Sequence, residues 1–484
     1  MIAPLLLAAL AIPGQGIPAA TQPDRPAAPD CALLLAAEPR PGVAPLCEAE
    51  DAMRLAGRAA AESPERAQQL RNAAVHYDRA AELLQDLDLR IYAYEAVACV
   101  HDATHLNEPG RVESALRQLA ILVAGTPAPL LRLARFQETH DGIDRAEQTL
   151  LGARLQYPDT VPLLRELSTF FARRVMAMLA SQAPPAEGGP SGTATKPATR
   201  AYTPECQQFS FGTPTSGLAY LCAGEAAMRQ AAVRPPKPPA NAAERERAAD
   251  ARKQQLRAAA EHYERAAGML AEVEPKTYAY DALGRVYGSA NLNEPREAEQ
   301  AIRHLIVLQP YSTAPIIRLA AVQEEQKFID AAEGTLLGAR QQFPEDVEPL
   351  KALSRFYGRL ATAGAMTEAR REREQEAPRA PGQPDENGFY TVGAHIPPPK
   401  KERDVRPSFP KEAQAVDLSG VVIVELFLDE TGAVTDARLT RPIPMLDDAA
   451  MEAVKQWRFQ PTIIDGRAVP TRMTVTVNFT LQKK

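Results

Sequence analysis

The sequence predicts a multidomain fold that is mainly α, with two units of helical repeats followed by a small α+β domain. Residues 70–173 match the residues 186 positions further on without a gap, which indicates an internal duplication. Within the first unit, residues 129–132 return at 162–165, 33 positions later, as expected of stacked helix pairs. At the end of the chain, residues 473–481 alternate apolar and polar side chains, which is the two-residue period of a β-strand.

Length and composition agree with several folded parts joined by linkers. The 484 residues correspond to about three domains, and a formal net charge of −6 argues against nucleic-acid binding. The 43 prolines exceed the usual share of about 5% and gather mostly in the expected linkers. The predicted helical units are 31–181 and 205–365, the linkers are 182–204 and 366–405 (Pro-rich), and the terminal domain is 406–484.

The first residues, 1–20, are similar to a secretory signal peptide. Residues 2–12 are apolar but too few for a membrane span, which needs about 20 residues. Ala19 and Ala20 are small residues at which a signal peptidase could cut, although the basic region that usually comes first is missing. The alternative is a hydrophobic tail. On the first interpretation the protein is exported.

Four of the five cysteines form two equally spaced pairs. Cys31 and Cys47 are 16 positions apart, and so are Cys206 and Cys222 at the matching place of the second unit. Equal spacing that recurs in a duplication predicts two local structural disulfides, which also fits an exported protein. A zinc site would use closer CxxC spacing together with a well-placed histidine. The fifth cysteine, Cys99, is expected to be a buried thiol in a helix.

The repeat period defines the helical units. Pairs of helices recur about every 34 residues, with proline at helix starts and Ala and Leu at helical spacing, and this resembles tetratricopeptide repeats. Each pair buries its apolar face by stacking on its neighbours, so two to three pairs can form a continuous core. Tyrosines and phenylalanines at matched places are expected in this core rather than at a ligand. The ligand of the repeats cannot be identified from their residues.

The terminal domain is predicted as strand, strand, helix, strand. Gly432 supplies the positive φ that closes a hairpin loop, Asp447 is predicted to cap the helix, and Trp457 is expected to pack in the core at its end. So short a sheet leaves an edge strand, which is either a docking site for an extended peptide or is covered by the chain itself or a second copy. The predicted strands are 421–428, 434–440 and 473–481.

An ordered set of residues runs through this domain. It comprises Phe409-Pro410, Glu412-Ala413, Gly420, Asp429, Gly432, Val434, Asp448-Ala449-Ala450, Trp457-Arg458-Phe459, Pro461, Asp465-Gly466, Val469-Pro470, Val475, Val477 and Phe479. The set resembles the C-terminal domain of the TonB family, periplasmic energy transducers that contact outer-membrane transporters. The resemblance covers nearly the whole of such a domain.

The sequence shows no pattern of catalytic residues. Glycine loops for phosphate, the GxSxG elbow and the HExxH motif are all missing. His101 and His105 have the i, i+4 spacing of a metal-binding pair, but the second unit has Tyr287 and Asn291 at these places. We therefore expect a surface histidine pair, no metal, no cofactor and no enzymatic activity.

The resemblance implies a periplasmic TonB-like adaptor that binds outer-membrane TonB-dependent transporters by β-strand addition. The helical repeats would be a scaffold for protein–protein interaction with an unknown ligand. The family pairs the transporter peptide with its last strand, and the segment before Phe409 would lie close by. The residues predicted to bind the partner are Arg406, Pro407, Met473, Val475, Val477 and Phe479.

An alternative function is a soluble periplasmic tetratricopeptide scaffold whose terminal domain is a passive tether without energy transduction. TonB proteins that transmit force engage an inner-membrane motor through an N-terminal membrane helix. The sequence shows no such helix, so it does not predict that this protein engages the inner-membrane motor in transmembrane transport. Arg406 also stands where better-known members of the family have glutamine.

Overall fold

The computed structural model describes most of the chain outside its termini and linkers. The predicted signal-peptide-like segment at 1–20 lies outside the described residues, as does nearly all of the predicted linker at 182–204. None of the described helices combines the length and the apolar composition that crossing a membrane requires. The described residues are 28–37, 39–140, 142–182, 202–206, 215–233, 240–375, 383–385, 387–393, 396–464 and 466–481.

Consecutive helices form the repeats, and polar caps or prolines begin several of them. Ser63 accepts a hydrogen bond from the N–H of Arg66 at 3.1 Å, and Asp86 accepts one from Leu89 at 3.1 Å, which satisfies backbone donors that a helix start leaves unpaired. In the first half the helices are α1 (Cys31–Ala36), α2 (Val43–Arg58), α3 (Pro64–Leu83), α4 (Leu87–Val100), α5 (Pro109–Leu122), α6 (Ala128–Thr139), α7 (Ile143–Gln156) and α8 (Val161–Gln182).

The second half repeats this order of helices. Neighbours such as α4 and α5 pack against each other, and so do their counterparts α11 and α12. The second set is α9 (Gly217–Ala232), α10 (Ala242–Met269), α11 (Val273–Tyr287), α12 (Pro295–Leu308), α13 (Ala314–Glu325), α14 (Ile329–Gln342) and α15 (Val347–Gln375). By their contacts, residues 174–356 form one compact unit, and residues 1–173 together with 357–484 form another.

The same hydrogen-bonded group lies inside both sets of helices. Glu50 accepts hydrogen bonds from the hydroxyls of Tyr77 and Tyr92 at 2.6 and 2.7 Å. In the second set Glu225 repeats this arrangement with two tyrosine hydroxyls, each 2.7 Å away. Because a buried hydroxyl without a partner is costly, the carboxylate lets these rings pack in the core.

In each helical set, one disulfide joins the start of the set to its first long helix. Cys31 bonds to Cys47 in α2, with Cα atoms 5.6 Å apart. Cys206 bonds to Cys222 in α9, with Cα atoms 5.2 Å apart. Cys99 lies in α4 and belongs to neither disulfide; its thiol is half-buried, whereas a buried thiol was expected.

The histidines that follow α4 differ from the expected surface pair. That prediction is wrong for His101, which is 4% exposed and places Nδ1 2.9 Å from Oε2 of Glu108. Because α4 ends at Val100, the two histidines lie in the loop beyond it and do not share a helix face. His105 instead places Nδ1 2.9 Å from Oδ1 of Asp102.

The terminal domain contains a four-stranded sheet in the order β1-β8-β3-β4, and it completes the predicted fold class of helical repeats followed by an α+β domain. Strand β3 runs antiparallel to both β4 and β8, whereas β1 runs parallel to β8. Its elements are β1 (Tyr390–Thr391), β2 (Lys401–Arg403), α16 (Lys411–Ala415), β3 (Gly420–Leu428), β4 (Val434–Arg441), α17 (Asp447–Val454), β5 (Arg458–Phe459), β6 (Thr462–Ile464), β7 (Arg467–Val469) and β8 (Thr471–Phe479).

The hairpin between β3 and β4 has the predicted turn chemistry. Gly432 has φ +79°, and Asp429 accepts hydrogen bonds from the N–H groups of Thr431 and Ala433 at 2.8 and 3.0 Å. The hydroxyl of Thr431 also donates to Asp429, and these bonds hold the pKa of this carboxyl below its usual value. A network of hydrogen bonds among neighbouring residues therefore stabilises this loop.

The core lies between α17 and one face of the sheet. Trp457 and Phe459 are 5% and 3% exposed, and their rings meet edge to face with centroids 6.3 Å apart. The indole N–H of Trp457 donates to the carbonyl of Val405 at 2.9 Å, and Nζ of Lys401 lies 3.1 Å from the centre of the indole ring. These contacts attach the segment around β2 to the domain.

Residues 366–405, expected to be a linker, contain ordered elements at both ends. Helix α15 continues to Gln375. Further on, β1 joins the main sheet beside β8, and β2 pairs with β5. These two strands are only two and three residues long, so they carry too few residues to show a period.

The start and end of α17 differ from the prediction. Leu446 is the N-cap, and it makes no side-chain hydrogen bond. Asp447 occupies the next position, and its Oδ1 accepts from the N–H of Ile443 at 2.6 Å. The helix ends at Val454, three residues before Trp457, because the following residues turn to form β5.

The stability of the terminal domain should depend on Asp447. Burial raises the pKa of this carboxyl from 3.8 to about 6, although Arg165 and the N–H of Ile443 both act to lower it. The folded state therefore holds the proton more tightly than the unfolded chain, and stability falls as the pH rises through the interval from 3.8 to about 6. We expect Asp447→Asn to gain stability over the wild type as pH rises through this window, by on the order of 2–3 kcal/mol.

Urea unfolding at pH about 4 and about 7.5, followed by the fluorescence of the single tryptophan, measures this difference. The variant keeps an oxygen that can accept from Ile443. If the gap between the variant and the wild type were the same at both pH values, the assigned titration of Asp447 would be wrong.

Candidate peptide-docking edge

Strand β8 has two different neighbours. It pairs with β3 along its whole length, from Leu428 opposite Thr471 to Gly420 opposite Phe479. On its other side it pairs with β1 at only two positions, at Thr471 and Arg472. The greater part of that side is therefore beyond the end of β1.

Hydrogen bonds to β1 show which backbone groups face that side. The N–H of Val392 donates to the carbonyl of Arg472 at 2.9 Å. Because alternate residues of a strand direct their backbone groups to the same side, Thr474, Thr476 and Asn478 direct their N–H and C=O groups away from β3. Among the described residues, no strand pairs with these three on that side. We call Thr474, Thr476 and Asn478 the open edge.

The chain turns away just before the open edge. The N–H of Gly393 donates to the carbonyl of Ile396 at 2.9 Å, so β1 cannot continue beside β8. The segment before β1 contacts the start of β8, because Asp385 lies 3.4 Å from Arg472. Arg472 also lies 3.4 Å from Glu425 of β3. On this side of β8, the described residues pair with Thr471 and Arg472 and with none of the later residues of the strand.

The side chains predicted to bind a partner face the core. Met473, Val477 and Phe479 are 7%, 3% and 4% exposed, and Val475 is half-buried against the same core. They hold β8 against β3, while the side chains of the open edge are exposed. The sequence alternation indicated the polar face, but it carried no signal for which backbone groups would be unpaired.

The two other predicted partner-binding residues lie between β2 and α16. Arg406 is exposed and Pro407 is half-buried. Nearby, the ring of Phe409 meets the ring of Phe479 edge to face, with centroids 5.6 Å apart. This segment therefore passes the end of β8, while the described contacts bring neither Arg406 nor Pro407 onto the open edge.

The terminal domain matches a known family. Residues 405–481 match the family described as Gram-negative bacterial TonB protein C-terminal. The chain is 35% identical over 80 residues to Protein TonB of Vibrio cholerae, which covers 16% of this chain and 33% of that protein. It is 32% identical over 77 residues to Protein TonB of Xanthomonas campestris, covering 16% and 34%. The chain thus spans about a third of the length of these relatives.

Solved structures also match much of this chain. One is the TPR2AB-domain:pHSP90 complex of yeast Sti1, with 15% identity over 65% of this chain and 98% of that chain, at a TM-score of 0.20. This TM-score is low, and the repeat architecture rests on the helix pairs described above. Residues 405–481 are therefore a domain similar throughout to the C-terminal domain of TonB proteins, and repeated pairs of packed helices precede it.

Proposed function

We propose that the terminal domain binds the extended peptide of an outer-membrane TonB-dependent transporter in the periplasm, by adding it as a strand beside β8. The observation that carries this proposal is the open edge, where three residues offer unpaired backbone donors and acceptors next to a rigid core. Strand addition takes its affinity from main-chain hydrogen bonds and its specificity from alternate side chains. The helical repeats then act as a scaffold for a further protein.

The open edge suits an added strand for two reasons. An unpaired edge is a template for another extended chain, and its strand is already held in place by pairing with β3, so docking requires little ordering of this domain. The exposed side chains are threonine and asparagine, which are polar and uncharged. They neither repel a peptide of either charge nor cover the backbone.

A proline at position 476 should block docking without disturbing the fold. Thr476→Pro removes an N–H that faces the open edge, and proline is tolerated on edge strands where the N–H faces solvent. We expect binding of a transporter peptide to weaken by about tenfold or more. Isothermal titration of the full chain with the peptide measures the change.

The matched control is Val477→Pro, because the N–H of Val477 faces β3 in the wild type. This change removes a bond inside the sheet, so it should lower the unfolding temperature of the domain, whereas Thr476→Pro should leave it nearly unchanged. Unaltered peptide binding by a folded Thr476→Pro variant would rule out docking at the open edge. Strong protection of the open-edge amides from hydrogen exchange in the isolated protein would do so too.

A scaffold with a passive terminal tether is the second candidate function. The observation that favours it is a cavity of about 430 Å³ within the second set of helices, lined by Glu225, Tyr278, Arg285 and Arg318 among others. Truncation after Ser408 distinguishes the two functions. Transporter-dependent uptake should be abolished if the terminal domain docks the transporter, and it should persist if the repeats alone carry the function.

A further inference from the structure

A cluster of three different donor groups lies at the end of α4. A sulfur, a carboxylate oxygen and an imidazole nitrogen of Cys99, Asp102 and His105 all lie within 4.8 Å of one another. We propose that this cluster binds a divalent transition-metal ion of the zinc class. It lies in the first set of helices and does not depend on the proposed docking edge.

The donors suit zinc by type and by charge. Zn²⁺ is bound by thiolate, imidazole and carboxylate, and a site with three protein ligands leaves a fourth position for water or another ligand. A thiolate and a carboxylate together balance the charge of a divalent ion. Oxygen-only sites favour Ca²⁺ or Mg²⁺ instead, and the sulfur and nitrogen donors argue against both.

Asp102 and His105 are already held close together. Nδ1 of His105 lies 2.9 Å from Oδ1 of Asp102, and the two side chains are 14% and 19% exposed. The carboxylate also accepts from the N–H and the hydroxyl of Thr104 at 2.8 and 2.6 Å. Ligand atoms of one tetrahedral zinc ion lie about 3 Å from each other, so an ion bound by Nδ1 and a carboxylate oxygen would replace this hydrogen bond.

The duplicated unit shows that the loop does not need these donors in order to fold. In the first unit the N–H of Asn107 donates to the carbonyl of Asp102 at 2.8 Å, and in the second Asn293 donates to Gly288 at 3.1 Å. Asn107 and Asn293 have φ of +53° and +56°. The loop is thus the same, although the residues equivalent to the three donors are Arg285, Gly288 and Asn291.

The same place in the second unit is concave. Arg285, Gly288 and Asn291 all line its cavity of about 430 Å³. The duplication therefore puts the three donors of the first unit where the fold has room for a small ligand. Their half-buried side chains leave a path for an ion while excluding most of the solvent.

Metal titration of the full chain tests the proposal, with the residues of the second unit as replacements. Wild type should bind one equivalent of Zn²⁺ in competition with a coloured chelator, and Co²⁺ should give a thiolate charge-transfer band. The double variant Asp102→Gly, His105→Asn should bind Zn²⁺ at least about tenfold more weakly than the wild type. This is a lower bound, because the loss of a group that only hydrogen-bonds to a metal ligand already costs about 10–100-fold in affinity. Cys99→Ser should lose the charge-transfer band.

A second measurement needs no variant. The other four cysteines are in disulfides, so alkylation under non-reducing conditions reports on Cys99 alone, and Zn²⁺ should slow this reaction.

The double variant is expected to fold because the second unit builds the same loop with these residues, and circular dichroism checks this. Zn²⁺ binding that is absent in the wild type, or equally tight in the folded double variant, would overturn the proposal.

Discussion

Replacing Gly432 by alanine is expected to destabilise the terminal domain strongly. A Cβ at this position would lie 1.9 Å from the carbonyl oxygen of Phe459. The φ of +79° is also in the left-handed region, which costs an alanine about 1–2 kcal/mol. Relief of the overlap requires moving Phe459, whose N–H donates to the carbonyl of Gly432 at 2.9 Å. We therefore expect a loss of about 3 kcal/mol or more.

Gly466 provides the matched control for this change. It has φ +77°, but a Cβ built there meets no heavy atom within 4 Å. Gly466→Ala should therefore show the backbone strain alone, about 1–2 kcal/mol. Urea unfolding followed by the fluorescence of Trp457, the single tryptophan, measures both variants. Equal losses for the two glycines would contradict the steric argument.

Replacing Trp457 by alanine should produce the second large effect. The change removes a buried ring and leaves a cavity, for which large-to-small core substitutions lose about 3–5 kcal/mol. It also leaves the carbonyl of Val405 without its indole donor and Lys401 without its ring. The segment around β2 should therefore loosen together with the core.

Hydrogen exchange measures this variant, because the fluorescent probe is lost with the ring. Amides of β3 and β8 should exchange faster in Trp457→Ala, and those of β2 should lose protection as well. Trp457→Phe is the control, since it keeps most of the apolar volume and loses the hydrogen bond to Val405. If Trp457→Ala kept the exchange pattern of the wild type, Trp457 would not be part of the core.

Both residues contribute to the open edge indirectly. The hairpin closed by Gly432 places β3 between β4 and β8, and Trp457 packs in the core that holds the apolar face of β8. A peptide can add to an edge strand only when that strand is fixed on its other side. Loss of docking in either variant would thus accompany loss of stability, unlike the effect expected for Thr476→Pro.

Much of the fold could be predicted because its signals are local or repeated. The hairpin depends on Gly432 and Asp429, which act on neighbouring backbone atoms. The cysteine pairs are 16 positions apart in both units, and the structure joins each pair. Helix pairs have apolar residues at regular spacing. Each of these patterns can be recognised without knowing which distant residues come together.

The contacts between distant residues could not be predicted in the same way. Strand β1 lies beside β8 although some 80 residues separate them, and two residues are too few to show a period. His101 has a polar side chain, yet it is buried next to Glu108. The donor cluster at the end of α4 depends on how the loop after Val100 turns, and residue types alone do not specify that turn.

The amino-acid sequence by itself determined that helical repeats precede an α+β domain, that the helices are duplicated, that residues 473–481 alternate, and that residues 409–481 resemble the TonB C-terminal domain. Only the tertiary structure decided which side of β8 is unpaired, because that depends on where β1 ends and turns away at Gly393. The periodicity of side chains indicates which face of a strand is buried. It does not indicate which edge of the strand is unpaired, because every residue except proline carries the same backbone donor and acceptor.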